Sequence, residues 1–120
     1  MNVERFDVAI LGGGLAGLST AAALTASTHL SVALVEMRPN SPGGARAIYN
    51  DTIRKFGLQG AVLRAYTGMA YRSATGTMAY FDYGEENSLS ALDYRLACEI
   101  LLRRALDDGA LAHSVPLSAD

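Results

Sequence analysis

Apolar and polar positions alternate along the chain in distinct blocks. The first, Phe6, Val8, Ile10 and Leu11, has little polar interruption and predicts a strand buried on both faces. A glycine cluster ends it. From Leu15 the apolar residues Leu18, Ala21, Ala22 and Leu24 recur at helical spacing, with small side chains on the face that would meet strands. Ser31–Val35 predicts a second strand, and Glu36 ends it. The pattern then breaks. Residues 37–49, MRPNSPGGARAIY, carry Pro39, Pro42, Gly43 and Gly44 and are expected to form a loop. Asn50 or Asp51 could cap a short helix that stops at Gly57, and a second helical piece is expected over Gln59–Tyr66.

Two β-prone aromatic runs around Ala74-Thr75-Gly76 predict a β-hairpin over residues 67–81, with Tyr71, Tyr80 and Phe81 as packing residues. Asp82–Asn87 is polar and predicts a loop. Ser90 and Asp93 have capping-box spacing ahead of a strong helix, whose stripe Leu92, Leu96 and Ile100 runs beside Ala97, Leu101 and Ala105. Arg103 and Arg104 suit the negative end of that helix, and Asp108-Gly109 terminates it. Ala110–Leu117 is expected to begin a third parallel strand. The fold class is therefore α/β: a Rossmann-like βαβ unit with an inserted antiparallel β-hairpin, incomplete.

The chemistry concentrates between Asp7 and Glu36. Gly12, Gly14 and Gly17 fit G-x-G-x-x-G between a strand and a helix, and Glu36 closes the next strand. Gly12 permits a sharp turn, Gly14 lets a pyrophosphate approach the backbone, and Gly17 permits close helix–sheet packing. The helix starting near Leu15 directs free N–H groups and a positive dipole end at phosphates. A carboxylate at Glu36 can accept hydrogen bonds from both hydroxyls of a ribose and would repel a 2′-phosphate, which argues against NADP here.

Composition narrows the rest. Half of the 120 residues are apolar and 18% are charged, enough for one small domain with a globular core. Ten basic against twelve acidic residues, without a basic run, give no support for nucleic-acid binding. No apolar stretch has the length of a membrane span, and the early residues do not read as a signal peptide, so a cytoplasmic location is expected. The single cysteine, Cys98, reads as a buried helix residue. With only His29 and His113 and no CxxC pair, no metal site is expected.

The order of glycine motif, acid, Pro-Gly-Gly loop, short helix, hairpin and long helix resembles the N-terminal part of FAD-dependent oxidoreductases of the p-hydroxybenzoate hydroxylase and geranylgeranyl reductase group. Ala21 extends the fingerprint, and Ala105, Gly109 and Ala110 match the end of that group's long helix. The group's D-R pair at the helix start is Asp93-Tyr94 here, which removes the arginine from that place. The resemblance implies bound FAD, with NAD(P)H as a transient electron donor. It makes residues 1–120 the N-terminal part of an FAD/NAD(P)-binding domain, with residues 67–81 as the start of a substrate-domain hairpin.

Candidate cofactor residues are thus Gly12, Gly14, Leu15, Ala16, Gly17, Glu36, Met37 and Arg46. Arg46 matches an arginine that reaches the flavin diphosphate or ribityl region, or else is a solvated loop arginine. Arg38 could lie near the adenine or point to water. No catalytic acid, base or nucleophile is identifiable; Asp82, Glu85 and Glu86 read as a solvated charge run. The implied partner is a small-molecule or lipid substrate, with loose membrane contact suggested by the prenyl-reductase likeness. Competing functions are an NAD-binding Rossmann dehydrogenase, a non-redox flavin-dependent cyclase and a bare ADP-binding module.

Overall fold

The computed structural model describes residues 3–36, 43–84 and 88–114. In chain order the elements are β1 (Val8–Leu11), α1 (Leu15–Ser27), β2 (Val32–Glu36), β3 (Ala45–Tyr49), α2 (Asn50–Phe56), a 3-10 turn (Gln59–Ala61), β4 (Val62–Tyr66), β5 (Gly68–Arg72), β6 (Met78–Asp82), β7 (Leu89–Asp93), α3 (Tyr94–Asp107) and β8 (Leu111–Ser114). They form two compact units. The first takes the chain through β2 and resumes at Arg95; the second is Gly43–Tyr94.

The first unit is a parallel sheet of order β1-β2-β8. Val8 pairs with Val32 and Leu11 with Val35; Ala33 pairs with Leu111 and Glu36 with Ser114. Ala21 of α1, Val32 of β2, Ala105 of α3 and Ala110 share one buried cluster, with Val8, Ile10, Ala22 and Leu24 packed against it. Both helices therefore contribute alanines to the same buried cluster. Burying a side chain such as Val32 contributes about 2 kcal/mol. At the start of β1 and β2 the strands are tied by Asp7: its carboxylate accepts from the Ser31 N–H at 2.8 Å and hydroxyl at 2.7 Å, and its own N–H donates to the Ser31 carbonyl at 3.1 Å. The expectation that the first strand is buried on both faces does not hold. With β2 as its one neighbour among the described residues, β1 alternates between half-buried and exposed, and Leu11 is 82% exposed. The strand buried on both faces is the central one, β2, through Val32, Ala33 and Leu34.

In the second unit, β7 lies between β3 and β4 in an antiparallel sheet, and β5 and β6 form a separate hairpin. The hairpin and the third parallel strand match the sequence expectation; several neighbours do not. Residues 45–49, expected in a loop, are β3, because Arg46 pairs with Leu92 and Ile48 with Ser90 on a strand-forming partner. Tertiary pairing outweighs the local breakers. Residues 62–66, expected to be helical, are β4, which pairs with β7 across an irregularity between Val62 and Arg64. Ser90 is no helix cap: it is a β7 residue, 2% exposed, and its hydroxyl donates to Asn50 Oδ1 at 2.5 Å.

Asn50 and Asp51 do not cap α2 either. Tyr49 occupies the cap position without a side-chain bond, while the Asn50 amide donates to Ser88 Oγ. Buried polar groups here satisfy one another, which fixes the start of α2 against β7. Gly57 ends α2 as expected, in the left-handed region at φ 60°. On α3 the buried face is Ala97, Cys98, Leu101 and Ala105; of the expected stripe, Leu92 is buried but belongs to β7, Ile100 is half-buried and Leu96 is 38% exposed. Tyr71, Tyr80 and Phe81 are exposed rather than packed, although Tyr71 and Phe81 meet edge to face at 5.5 Å. Segments 37–42 and 85–87, which hold Met37, Arg38, Glu85 and Glu86, lie outside the described residues.

Candidate functional site

The glycine loop joins β1 to α1 at the carboxyl end of the parallel strands. Gly12 turns the chain with φ 106°, a value open to glycine and costly for other residues, and its N–H donates to the Val35 carbonyl at 2.8 Å. That bond continues the β1–β2 pairing one residue past the strand. Gly14 is the N-cap of α1 in extended conformation, and its carbonyl accepts the Leu18 N–H at 2.9 Å. The N–H groups of Leu15, Ala16 and Gly17 precede that first helical bond, so they face the end of the helix as anion-directed donors. No acidic side chain occupies the first turn of α1 to neutralise its positive end.

Gly17 has the tightest surroundings. A Cβ there would lie 1.9 Å from the Gly12 carbonyl oxygen and 3.3 Å from Ile10 Cγ2. The first turn of the helix therefore rests directly on the loop backbone, as expected for the third glycine of the motif. Glu36, at the end of β2, turns its carboxylate to the same loop: Oε2 accepts the Gly13 N–H. Gly12, Gly13, Gly17 and Glu36 are thus brought together within the first unit, with Gly14, Leu15 and Ala16 forming the start of the helix.

Gly13, whose N–H meets Glu36, is the loop residue that motif reasoning passed over, since it fills the variable place in G-x-G. The available signal was the run of three glycines, Gly12-Gly13-Gly14, where the motif asks for two. Arg46 belongs to the second unit, on β3. Its guanidinium stacks 5.0 Å from the Tyr94 ring centre, and Nη1 donates to the Ala45 carbonyl at 3.1 Å. Arg46 is thus an exposed strand residue lying over an aromatic ring, rather than a loop residue. The ring is that of Tyr94, the residue that stands where the flavoprotein group carries arginine. Met37 lies outside the described residues.

A loop with no side chains, a helix start free of acids and one carboxylate at the neighbouring strand end can hold a molecule with a phosphate and a vicinal diol side by side. The residues present fit the ADP half of a dinucleotide. They supply no acid or base placed for chemistry on a substrate. Among the described residues, no helix is long and apolar enough to cross a membrane.

Comparisons with known proteins agree with this geometry. Residues 10–83, more than half of the chain, match the family profile described as NAD(P)-binding Rossmann-like domain. No curated protein matches the sequence. Among solved structures, a geranylgeranyl bacteriochlorophyll reductase-like protein from Thermoplasma acidophilum superposes with TM-score 0.71 at 19% identity, over 94% of this chain and 30% of that one. A flavin-dependent halogenase from Xanthomonas campestris gives 0.75 at 17% identity, over 93% and 35%. Aklavinone-11 hydroxylase, solved with FAD and aklavinone, gives 0.61 at 22% identity, over 95% and 26%. The chain spans about a third of the length of these structures or less, and shares their fold through both of its units. With its glycine loop, its strand-end acid and a profile match that covers the motif, the chain belongs to the NAD(P)-binding Rossmann-like domain family.

Proposed function

We propose that this chain holds the ADP moiety of FAD in a flavin-dependent oxidoreductase of the monooxygenase or reductase type. The observation that carries the proposal is the Glu36 carboxylate seated on the Gly13 N–H beside the glycine loop. The acid and the helix start thus lie beside the same loop, as the ribose and diphosphate of one dinucleotide require. Gly12, Gly14 and Gly17 shape the loop, and the N–H groups of Leu15 and Ala16 serve the diphosphate. Met37, next after the acid, is assigned to the adenosine side, and Arg46 to the diphosphate or ribityl region, both on the strength of the resemblance.

The choice of FAD over NAD rests on the chain beyond β2. A plain Rossmann unit continues from its acid into a helix and a strand. Here the unit Gly43–Tyr94 intervenes before α3 and β8. The reductase-like protein, the halogenase and the hydroxylase superpose over more than nine-tenths of this chain, that insertion included. When bound, the flavin supplies hydride, electron or oxygen chemistry, and the protein supplies its position and surroundings. An NAD-binding dehydrogenase is the second reading, favoured by the description of the matching family. A small organic substrate and NAD(P)H as electron donor belong to the proposal for the whole protein.

Purification of the natural full-length protein and its visible spectrum separate the two. Flavin absorption bands that stay with the protein through gel filtration and are released as FAD on denaturation are expected. A colourless protein that binds NAD and takes up no flavin overturns the proposal.

A further inference from the structure

We infer that Tyr94 is a positioning residue for Arg46: its ring fixes the direction of the guanidinium and leaves the positive charge to meet an anion, the diphosphate of the dinucleotide. The inference rests on the proposed assignment of Arg46 to the diphosphate and extends it to a residue that acts through Arg46.

Three observations carry it, all within the second unit. The first is register. Ala45 of β3 lies opposite Asp93 of β7, and Arg46 opposite Leu92. The Tyr94 N–H donates to the Gly44 carbonyl at 3.0 Å, which continues that ladder by one pair. Side chains alternate between the faces of a strand, so Arg46 and Tyr94 are diagonal neighbours on one face. The second is the contact itself. The guanidinium lies 5.0 Å from the ring centre, inside the reach of about 6 Å over which a ring face attracts a cation. Tyr94 is half-buried and Arg46 exposed, so the ring is the fixed partner and the arginine the one held. The third is charge. Nη1 donates to the Ala45 carbonyl at 3.1 Å, and among the described residues no carboxylate lies within ion-pair distance of Arg46.

These facts belong together. An exposed arginine samples many rotamers, and ordering it when a ligand arrives costs affinity. An acid beside it would order it and cancel its charge. A ring face orders it and keeps the charge. The backbone bond from Tyr94 to Gly44 needs only an N–H, so Tyr94→Leu and Tyr94→Phe both retain the ladder and isolate the ring.

The test uses the natural full-length protein stripped of cofactor. Tyr94→Phe, Tyr94→Leu, Arg46→Ala and the Arg46→Ala/Tyr94→Leu double variant are compared for FAD affinity by quenching of flavin fluorescence. Arg46→Ala is expected to weaken FAD about tenfold, as for loss of a charged hydrogen bond. Tyr94→Leu should weaken it about two- to fivefold, the worth of a cation–ring contact near the surface. Tyr94→Phe should bind as the wild type does, because it keeps the ring. The double variant should bind no more weakly than Arg46→Ala, because the ring acts only through the arginine. Wild-type affinity in Tyr94→Leu, an equal loss in Tyr94→Phe, or losses that multiply in the double variant overturns the inference. Wild-type affinity in Arg46→Ala overturns it together with the assignment of Arg46, while flavin uptake by the wild type still upholds the proposed function. A wild-type protein that takes NAD in place of FAD fails the flavin proposal, and the same series read on NAD still decides the role of Tyr94. A protein that binds neither dinucleotide overturns both.

Discussion

Gly17→Ala is the change on which two physical expectations disagree in sign. Gly17 lies in the first turns of α1, where replacing glycine by alanine favours the helix by up to about 1 kcal/mol. Against this stands the contact geometry: the added methyl would sit 1.9 Å from the Gly12 carbonyl oxygen, 3.1 Å from its carbon and 3.3 Å from Ile10 Cγ2. The first of these is roughly 1.5 Å short of ordinary contact, and the obstacle is backbone, which has no rotamer to change. Either α1 lifts from the loop or Gly12 leaves the turn that its N–H bond to Val35 holds. Overpacking of this kind costs about 3 kcal/mol at the upper end of its usual range. The net expectation is a loss of about 2 kcal/mol, or a midpoint lowered by about 10 °C for a domain of this size.

Thermal unfolding followed by circular dichroism measures it. Ala26→Gly, at an exposed position of the same helix, calibrates the propensity contribution separately. A Gly17→Ala protein as stable as the wild type, or more stable, refutes the close packing of helix on loop and with it the site geometry derived from that packing.

Other expected outcomes come from single contacts. Glu36→Arg replaces the ribose acceptor with a positively charged donor that cannot take the Gly13 N–H, and should weaken FAD retention about a hundredfold, read as flavin content after dialysis. Asn50→Ala leaves the buried Ser88 and Ser90 hydroxyls without their amide, and should cost about 2 kcal/mol in urea denaturation, with cofactor affinity unchanged. The Ser31 N–H and then the Ser31 hydroxyl hold the Asp7 carboxyl below the usual aspartate range. A lowered folded-state value means that this contribution is present above the ordinary aspartate range and is lost as pH falls through the lowered one. Melting midpoints of Asp7→Ala should therefore fall less steeply than wild type on acidification below that range; parallel profiles would exclude Asp7 as the source.

What the sequence revealed, and what it concealed, divides along the range of the forces involved. The stretch Asp7–Glu36 was legible because each of its features is local: a left-handed turn needs Gly12, a helix start comes directly after it, and a strand ends on an acid. The hairpin was legible for the same reason, since its turn residues lie between two β-prone runs. By contrast, β3, β4 and β7 exist through pairing between segments more than twenty residues apart in sequence, and nothing in ARAIY or VLRAY alone distinguishes them from loop or helix. Ser90 and Asp93 show the failure in its plainest form. The spacing of a capping box is real, but the buried amide of Asn50 offers the Ser90 hydroxyl a partner that no local pattern contains.

The same distinction explains why the candidate site was readable in outline and not in detail. A motif states which positions must lack a side chain for reasons of backbone angle or helix contact, and those constraints travel with the spacing. Gly13 makes a contact of another kind, its N–H donating to a side chain from the next strand. The parallel register aligns Leu11 with Val35, the Gly12 N–H extends that ladder by one bond, and the next residue then meets the stem of Glu36. A Cβ at this place would meet the carboxylate tip of Glu36 first, at 2.8 Å, and its Cβ and Cγ at 3.3 Å each. Positions 13 and 36 are therefore joined by a bond that the spacing of the motif does not contain.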